Sequence, residues 1–549
     1  MEFIKRNKNL LLLIFLSIIC LFLSIGHYAN IYIDVGREMY YPLEISKGKV
    51  LYKDIFCIYG PLSYLINGLF YKLFGAKLNV LYFLGSASAL LIVIFTYLVS
   101  KKFLSDLTSF TITLFVIITG CLSVRIFNFT LPYSYAVTYG LLFFLVSVYF
   151  LVNFLEKNDN KFLYISGLFC GLCLVCKYDF ILYLIPFLIV LFKTKNIKLI
   201  LKTLAAVSIS VLIPFIFLFF QGLRADDIIN SFYLIKSFAN TKALDVFYSK
   251  QGVYYNPKLW GNWLKDIIFD SVFVLIIYSG LILKNKKNVF IKISGFAVIV
   301  FGCLFIYFNT FETSYLFLTF LVFLSLILRF NKNSLKENIF ILSAFLIGIK
   351  SFWGLSHVNY GLYYAGAVFV SFFIFLKNNF NDNINKAFSI VLIMMSLNYL
   401  TINIEGIKLQ NTEIITDKGT IKTRKESANL TIELINFIDN IEIENPYVMI
   451  FPEGLNINYL SKKQTETSGF YNSLIPLYTE GFGDKTIKEY YMKNSPDYIV
   501  FLNTEMNDYG YGEICNGYAF ELCNYVFENY IPVKKYTGEK EKFIIFRKI

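Results

Sequence analysis

The residues best suited to chemistry follow the first long apolar run of the chain. Asp34, Arg37 and Glu38 stand within five positions of one another, just after residues 9–27. A carboxylate at the membrane–water boundary can take a proton from a hydroxyl group, and partial burial would raise its pKa toward the working range of a general base. Alternatively, Asp34 caps the following helix by accepting its free N–H groups, and Arg37 and Glu38 form a local pair on a helix face. Spacing alone leaves these interpretations open.

The elements that must hold these residues are membrane helices. Of the 549 residues, 56% are hydrophobic and only 16% are charged, whereas about a quarter of the residues in soluble domains are charged. This composition excludes a soluble globular protein, and the presence of 2 histidines in the whole chain argues against a histidine-built metal site. Because about 20 apolar residues of helix cross a bilayer, we predict thirteen spans. Their approximate bounds are 9–27, 78–100, 105–124, 133–154, 162–176, 179–192, 199–220, 267–283, 289–308, 313–329, 338–353, 360–376 and 387–404.

Charge divides the chain into two predicted domains. Residues 1–404 carry a net charge of +18 and residues 405–549 a net charge of −5. Positive charge beside apolar helices is typical of cytoplasmic loops and not of a nucleic-acid groove. We therefore predict an all-α polytopic membrane domain over 1–404, a small α/β domain over 405–549, and no nucleic-acid partner.

The lysine-rich loops also predict an orientation. They occur at every second turn between spans, so the positive-inside rule puts them and the N-terminus in the cytoplasm. An odd number of spans then puts the C-terminal domain outside, with a first outer loop at 28–77 and a second at 221–265. We expect a multi-pass protein of the plasma (inner) membrane, in contact with its lipids. The run 162–192 could be two spans or one long tilted helix.

The C-terminal domain alternates strand-like and helical patterns. Strands are predicted at 447–451, 498–502 and 542–546, and helices near 427–440, 485–493 and 518–529. Cys515 and Cys523 lie in this domain and could pair as a disulfide.

Three further groups of residues admit a functional and a structural interpretation. The spacing of Cys170, Cys173 and Cys176 is compatible with a metal site, but we favour one face of an apolar helix. His357, at the outer end of the eleventh predicted span, could bind phosphate or acceptor, or could belong to an interfacial belt with Trp and Tyr. The aromatic and polar segment 248–263 could be a sugar-binding lip, although we favour an interfacial helix.

Three stretches of the chain carry a family resemblance. They are Asp34-Val35-Gly36-Arg37-Glu38 with Gly48, Leu51-Tyr52, Asp54 and Tyr59-Gly60-Pro61-Leu62; Gly171 to Lys177-Tyr178-Asp179; and Phe451-Pro452-Glu453-Gly454 with Ser495-Pro496-Asp497. The first resembles the first outer loop of GT-C membrane glycosyltransferases of the protein O-mannosyltransferase and aminoarabinose transferase type. The second is similar to a family helix that ends in a lysine at the outer face, and the third to the outer domain of bacterial members.

The resemblance implies a reaction and roles for individual residues. The donor would be a sugar on a polyprenyl phosphate, and the acceptor a hydroxyl of a lipid, glycan or protein. Asp34 maps onto the family aspartate, as the general base or acceptor-orienting carboxylate, and the anomeric configuration would invert. Lys177 maps onto the family lysine and, with Arg37, would bind the donor phosphate and stabilise its developing charge. A lysine at a helix end could instead be a snorkelling anchor.

The chain departs from the family pattern at two places. Many relatives have a second acid where Val35 stands here, so Glu38 or Asp54 would have to supply that carboxylate, unless none is needed. Tyr59-Gly60-Pro61 stands where aminoarabinose-type enzymes have an acidic residue, a lysine and a proline. One phosphate-binding lysine of those enzymes is therefore missing.

Two other function classes are compatible with a many-span protein. A transporter of polysaccharide or lipid-linked glycan (a flippase) needs polar or broken helices at mid-membrane, and the predicted spans carry almost no charge away from their ends. An O-antigen polymerase or ligase would not be expected to carry the motif around Asp34. We predict no cofactor, and the sequence leaves a requirement for a divalent metal ion open.

Overall fold

The first three quarters of the chain are helical in the computed structural model. It describes residues 2–29, 31–32, 34–238, 241–250, 254, 256–308, 326–328, 330–349, 360–463, 465, 467, 469–473, 475–502, 510–539 and 542–549. The helices up to Leu409 are α1 (Glu2–Ser24), α2 (Val35–Ser46), α3 (Leu62–Phe74), α4 (Leu78–Lys101), α5 (Asp106–Val116), α6 (Tyr135–Lys157), α7 (Asn160–Leu174), α8 (Leu184–Lys193), α9 (Ile197–Phe220), α10 (Ala225–Ser237), α11 (Lys242–Lys250), α12 (Pro257–Lys284), α13 (Val289–Phe308), α14 (Leu335–Ile347), α15 (Ala365–Asn379) and α16 (Asp382–Leu409).

Seven helical segments of the described residues are long and apolar enough to cross a bilayer. They are Asn7–Ser24, Leu78–Lys101, Tyr135–Lys157, Ile197–Phe220, Val289–Phe308, Gly361–Asn379 and Asp382–Leu409. Three shorter apolar segments accompany them, at Asp106–Cys121, Asn160–Leu174 and Ser271–Lys284. The predicted class, a polytopic helical domain followed by a small α/β domain, is confirmed. The count of thirteen spans stays a prediction, and the predicted span 313–329 lies almost entirely outside the described residues.

The run 162–192 is two helical segments rather than one. Helix α7 ends at Leu174, a 3-10 turn follows at Tyr178–Tyr183, and α8 begins at Leu184. Lys177 lies in the break with extended backbone dihedral angles, φ −149° and ψ 133°. Lys177 therefore lies between two apolar helices and belongs to neither of them.

Four of the lysine-rich loops that were predicted to share one side of the membrane meet at one end of the helix bundle. The carboxylate of Glu156 forms salt bridges with the ammonium groups of Lys102, at 2.7 Å, and Lys336, at 2.8 Å. Lys377 donates to the carbonyl oxygen of Phe103 at 3.0 Å. Four loops that are distant in sequence thus form one polar, basic end.

The C-terminal domain contains a hairpin and a four-stranded mixed sheet. The hairpin pairs β1 (Thr412–Thr416) with β2 (Gly419–Thr423). The sheet has the order β3-β4-β6-β5, in which β3 and β4 are parallel and the other neighbours are antiparallel. Its strands are β3 (Val448–Phe451), β4 (Tyr498–Leu502), β5 (Tyr530–Thr537) and β6 (Lys542–Lys548), and the helices of the domain are α17 (Lys425–Asp439), α18 (Leu455–Leu460), α19 (Ile475–Tyr478), α20 (Asp484–Lys493) and α21 (Phe520–Asn529).

The three predicted strands are β3, β4 and β6, whereas β1, β2 and β5 were not predicted. None of these three strands contains a continuous run of buried residues that would mark it in the sequence. Strand β5 is a sheet edge whose residues are mostly exposed, and it contains Pro532 and a register shift before Lys534. Edge strands tolerate proline and need no continuous apolar run. In the hairpin only Ile414 and Ile421 are fully buried apolar residues, too few to produce an alternating pattern.

The C-terminal domain packs directly on the first outer loop. Backbone hydrogen bonds join Tyr28 N to Lys422 O at 2.8 Å and Leu78 N to Lys418 O at 2.7 Å. One buried cluster contains side chains of both parts, including Val35 and Leu455. The loop and the domain therefore share a core, and residues of both can enter one site.

The second outer loop is also held by the C-terminal domain. The carboxylate of Glu480 accepts hydrogen bonds from the backbone N–H of Lys242, at the start of α11, and from the Tyr511 hydroxyl. Cys515 and Cys523 form a disulfide in the segment after Tyr511. Residues 257–263 are the first turns of α12, which agrees with the helical interpretation of that stretch.

Candidate active site

Asp34 stands at the N-cap position of α2 but does not act as a cap. Its side chain accepts no hydrogen bond from a backbone N–H of the helix, and its backbone has φ 63° and ψ −47° instead of the extended angles usual for a cap. Oδ1 of Asp34 instead accepts a hydrogen bond of 3.3 Å from Nη2 of Arg37. The Asp34 side chain is 17% exposed. The helix α2 that was predicted to follow Asp34 is confirmed, and the simple cap interpretation is wrong.

Arg37 is buried and fixed from three sides. Besides Asp34, its Nη2 donates to the carbonyl oxygen of Tyr133 at 3.3 Å and its Nε to Oε1 of Glu38 at 3.4 Å. Its guanidinium also lies over the ring of Tyr59, 5.1 Å from the centroid, which is a cation–π distance. The guanidinium therefore has a defined position next to the Asp34 carboxylate.

Glu38 binds the Nε of Arg37 and lies in the protein core. It is completely buried. Its oxygens accept hydrogen bonds from the Tyr64 hydroxyl at 2.7 Å and from the backbone N–H of Tyr135, the first residue of α6, at 2.9 Å. A carboxylate at a helix N-terminus is favourable because the free N–H groups there carry partial positive charge. Glu38 thus ties α2, α3 and α6 together around Arg37.

Lys177 reaches the same group of residues from the break between α7 and α8. Its Nζ donates to the Tyr133 hydroxyl at 2.5 Å and lies 3.3 Å from Oδ2 of Asp179. It also lies 5.2 Å from the ring centroid of Tyr59. Only 5% of Lys177 is exposed, so its side chain points into the protein and not toward the membrane surface as a snorkelling anchor would.

The Tyr59-Gly60-Pro61 turn brings one aromatic ring between the two cations. Gly60 lies so close to the end of α7 that a Cβ at this position would be 2.1 Å from the carbonyl oxygen of Val175. The backbone N–H of Leu62 donates to the same carbonyl at 3.2 Å. Glycine is therefore required for the turn to approach the residues before Lys177.

Burial and charge act in opposite directions on the ionisable groups of the site. Burial raises the pKa of Asp34, although the positive charges of Arg37 and Lys177 work against this rise. Burial likewise raises the pKa of Glu38. For Arg37, burial alone would lower the pKa, but neighbouring tyrosines and carboxylates raise it well above its ordinary value. The arginine stays charged, and Asp34 is a better proton acceptor than an exposed aspartate.

The other predicted site residues lie elsewhere or outside the described residues. Asp54 accepts the backbone N–H of Val50 at 2.8 Å, and with Glu44 and Lys49 it lines a separate cavity of about 40 Å³. His357 lies outside the described residues. Among those that the structure describes, no three His, Cys, Asp or Glu side chains are arranged to hold a metal ion.

The three cysteines spaced like a metal motif are buried in the protein core. Cys170, Cys173 and Cys176 are fully buried free thiols. Cys170 and Cys173 lie on α7, as the favoured interpretation predicts, whereas Cys176 lies in the turn after the helix ends at Leu174.

Three residues of the site were not predicted as site residues from the sequence. Tyr59 was part of the motif, but the sequence predicted no role for it in the site. Tyr133 carries no sequence signal, because nothing in its neighbourhood marks it apart from other interfacial tyrosines. Glu453 belongs to the Pro452-Glu453-Gly454 stretch that the resemblance used for the outer domain, and its Oε2 accepts the backbone N–H of Asp34 at 2.9 Å.

Comparisons with known proteins bear on the fold and the family. Residues 59–219 match the family model described as dolichyl-phosphate-mannose-protein mannosyltransferase, which covers Tyr59, Gly60 and Lys177. No curated protein sequence matches the chain.

Solved structures with similar architecture are membrane glycosyltransferases. The oligosaccharyltransferase AglB of Archaeoglobus fulgidus, in complex with an inhibitory peptide and a dolichol-phosphate, is 12% identical with a TM-score of 0.50, over 98% of this chain and 74% of AglB. The same enzyme tethered to an acceptor peptide is 13% identical with a TM-score of 0.50, over 99% and 74%. ArnT of Cupriavidus metallidurans bound to undecaprenyl phosphate is 11% identical with a TM-score of 0.43, over 98% of each chain.

The family expectation from the sequence is thereby confirmed. The chain has the GT-C membrane fold, and its residues 59–219 match the model of the dolichyl-phosphate-mannose-protein mannosyltransferase family.

Proposed function

We propose that the protein is an inverting glycosyltransferase that moves a sugar from a polyprenyl-phosphate donor to a hydroxyl acceptor on a lipid, glycan or protein. One observation carries the proposal. The carboxylate of Asp34 is not used as a helix cap and lies beside the buried cations Arg37 and Lys177, which share the ring of Tyr59. A base next to two fixed positive charges suits a reaction in which a hydroxyl loses a proton and a phosphate leaves.

In the proposed reaction, Asp34 accepts the proton of the acceptor hydroxyl. The acceptor oxygen forms a bond to the anomeric carbon from the face opposite the phosphate, and the bond between that carbon and the phosphate oxygen breaks. Polyprenyl phosphate leaves with the electron pair, so negative charge develops on its oxygens. Arg37 and Lys177 stabilise this charge without reorganising, because protein contacts already hold them in position.

Two similarities of the chain support a polyprenyl phosphate as the donor. The structurally similar AglB is in complex with a dolichol-phosphate. The matched family model is described by a dolichyl-phosphate sugar donor. Both Tyr59 and Lys177 fall inside the matched residues, whereas Asp34 precedes them.

The outer-face location of the site is supported by two features at opposite ends of the molecule. The Cys515–Cys523 disulfide lies in the C-terminal domain, and disulfides persist in oxidising compartments outside the cytoplasm. The basic loops around Glu156 form the other polar end, as expected of a cytoplasmic face. We propose that Asp34 and the C-terminal domain face the outside of the plasma (inner) membrane.

Substitution of Asp34 by Asn tests the function directly. In membranes supplied with a labelled polyprenyl-phosphate sugar, Asp34→Asn should lower transfer by roughly 10²-fold to 10⁴-fold, the usual contribution of a general base. The matched control is Asp54→Asn in the same loop, which can still accept the Val50 N–H and should transfer normally. Normal transfer by the Asp34 variant would exclude Asp34 as the base. A wild-type protein that moves lipid-linked glycan across vesicles without forming a glycosidic bond would instead be a transporter.

A further inference from the structure

We propose that Glu453 of the C-terminal domain is a positioning residue of the active site, which holds the Asp34 carboxylate toward Arg37 by binding the Asp34 backbone amide. The inference rests on the proposed function, in that it takes Asp34 to be the base. It assigns the C-terminal domain a part in the reaction, because a residue 419 positions away in the chain sets the geometry of Asp34.

The contact itself is short and shielded from water. The backbone N–H of Asp34 donates to Oε2 of Glu453 at 2.9 Å, and only 5% of Glu453 is exposed. Hydrogen bonds to a charged acceptor are stronger than those between neutral groups, and they strengthen further where water is excluded. This bond therefore constrains the backbone at the exact residue whose side chain faces Arg37.

The backbone of Asp34 needs such a constraint. Helix α5, in contrast, begins with an ordinary cap: Ser105 has φ −66° and ψ 163°, and its side chain accepts the N–H of Thr108. Asp34, at φ 63° and ψ −47°, lies near the rare classic γ-turn region, which is strained for a residue with a side chain. Strained conformations persist only where the surroundings impose them, and they cluster at active sites.

The strained angles have a direct consequence for the carboxylate. With the extended angles of a cap, the Asp34 side chain would turn back onto the first N–H groups of α2. In the observed conformation it meets the Arg37 guanidinium instead. Glu453 accepts the amide that this conformation presents, so loss of that acceptor favours return of Asp34 to the capping position.

Close packing of the C-terminal domain on α2 and α3 holds Glu453 in position. Glu453 lies between β3 and α18, and α18 packs against α2 so closely that a Cβ on Gly36 would be 2.5 Å from the backbone nitrogen of Asn456. One turn further along α18, Tyr459 accepts a hydrogen bond of 3.0 Å from the Tyr71 hydroxyl on α3. The position of Glu453 relative to α2 is therefore set by close packing on both sides.

Two conservative substitutions separate a positioning role from a role of the negative charge. Glu453→Gln keeps the length of the side chain and an oxygen that can accept the amide, but removes the charge. Glu453→Asp keeps the charge, but it is one methylene shorter and cannot reach 2.9 Å without movement of the backbone. We expect the Gln variant to stay within about threefold of wild-type kcat. The Asp variant should lose about 10-fold to 100-fold in kcat at unchanged donor KM, since misplacement by about 1 Å can cost 10²-fold.

A matched control and a measurement independent of catalysis complete the experiment. Glu433→Gln removes an exposed partner of Lys534 in the same domain and should change neither kcat nor KM. Hydrogen–deuterium exchange of the Asp34 amide should be much faster in Glu453→Asp and should change far less in Glu453→Gln, which keeps an acceptor oxygen in place. Equal losses of kcat in both variants, or slow amide exchange in both, would overturn the positioning role.

The outcomes distinguish this inference from the proposed function. If the wild-type protein transfers sugar, Asp34→Asn is inactive, and Glu453→Asp is fully active, the function stands and the role of Glu453 is refuted. If the wild-type protein transfers no sugar, the proposed function fails. The amide exchange of the Glu453 variants then still decides whether Glu453 holds the Asp34 backbone.

Discussion

Lys177 donates a hydrogen bond of 2.5 Å to the hydroxyl of Tyr133. The bond joins the break between two short helices to the segment just before α6, and it turns a lysine at a helix end toward the interior of the protein. A lysine that anchors a helix at the membrane surface would extend its ammonium group into water. The inward orientation therefore favours a role in charge stabilisation, which substitutions can test.

Replacement of Lys177 by Met should abolish most of the transfer activity. Met has about the length of the lysine side chain but carries no charge. The developing negative charge on the leaving phosphate therefore loses one of its two fixed cations. We expect kcat to fall by about 10²-fold, measured with saturating donor. Tyr133→Phe, which leaves the ammonium in place without its hydrogen-bond partner, should lose less. Lys198→Met, on the exposed start of α9, is the control, and an active Lys177→Met would refute the role.

Replacement of Arg37 by Lys should impair the enzyme although the charge is kept. The guanidinium binds the Asp34 carboxylate, the Tyr133 carbonyl and Glu38 at the same time, and a lysine ammonium lacks this planar arrangement of donors. Loss of one hydrogen bond to a charged group costs about 1.5–3 kcal/mol. We therefore expect kcat to fall roughly 10-fold to 150-fold, and wild-type kinetics for Arg37→Lys would contradict the geometry.

The raised pKa of Asp34 predicts the pH dependence of both activity and stability. The folded protein binds a proton at Asp34 at pH values where the unfolded chain, with the ordinary pKa of 3.8, has lost it. The contribution of this group to stability therefore decreases as the pH rises from 3.8 through the folded pKa. Because the base must be ionised, the acidic limb of the kcat profile should lie at a higher pH than the ordinary pKa of an aspartate.

The same shift predicts that the Asp34→Asn variant is folded and no less stable than wild type. At neutral pH, the variant avoids the cost of a buried carboxylate, so its unfolding temperature in detergent should exceed that of wild type. The difference should shrink as the pH falls and the wild-type side chain takes up its proton. A variant that unfolds at a lower temperature than wild type at neutral pH would contradict the raised pKa.

The orientation of the chain predicts which positions a membrane-impermeant reagent can reach. A cysteine in place of the exposed Lys493, on α20 of the C-terminal domain, should react with an impermeant maleimide in intact cells. A cysteine in place of Lys198, in a predicted cytoplasmic loop, should react only after the membrane is opened. Labelling of the Lys198 position in intact cells, with protection of the Lys493 position, would reverse the proposed topology.

Much of the architecture follows from local properties of the sequence. Apolar runs of about 20 residues determine membrane helices because backbone groups in lipid must be satisfied within the segment. Short apolar runs likewise identified the strands β3, β4 and β6, and the motif from Asp34 to Pro61 contains part of the candidate site. These features depend on residues that are near one another in the chain, so no knowledge of the fold was needed.

The arrangement of the site was decided only by the tertiary structure. Spacing could not tell whether Asp34 caps α2, since that depends on a backbone conformation whose hydrogen-bond acceptor, Glu453, lies 419 positions away. Nor could it reveal that Tyr59 lies between Arg37 and Lys177, because a glycine at position 60 matters only once the end of α7 packs against it. The sequence by itself determined which chemical groups the loops contain. Long-range packing determined which of them meet.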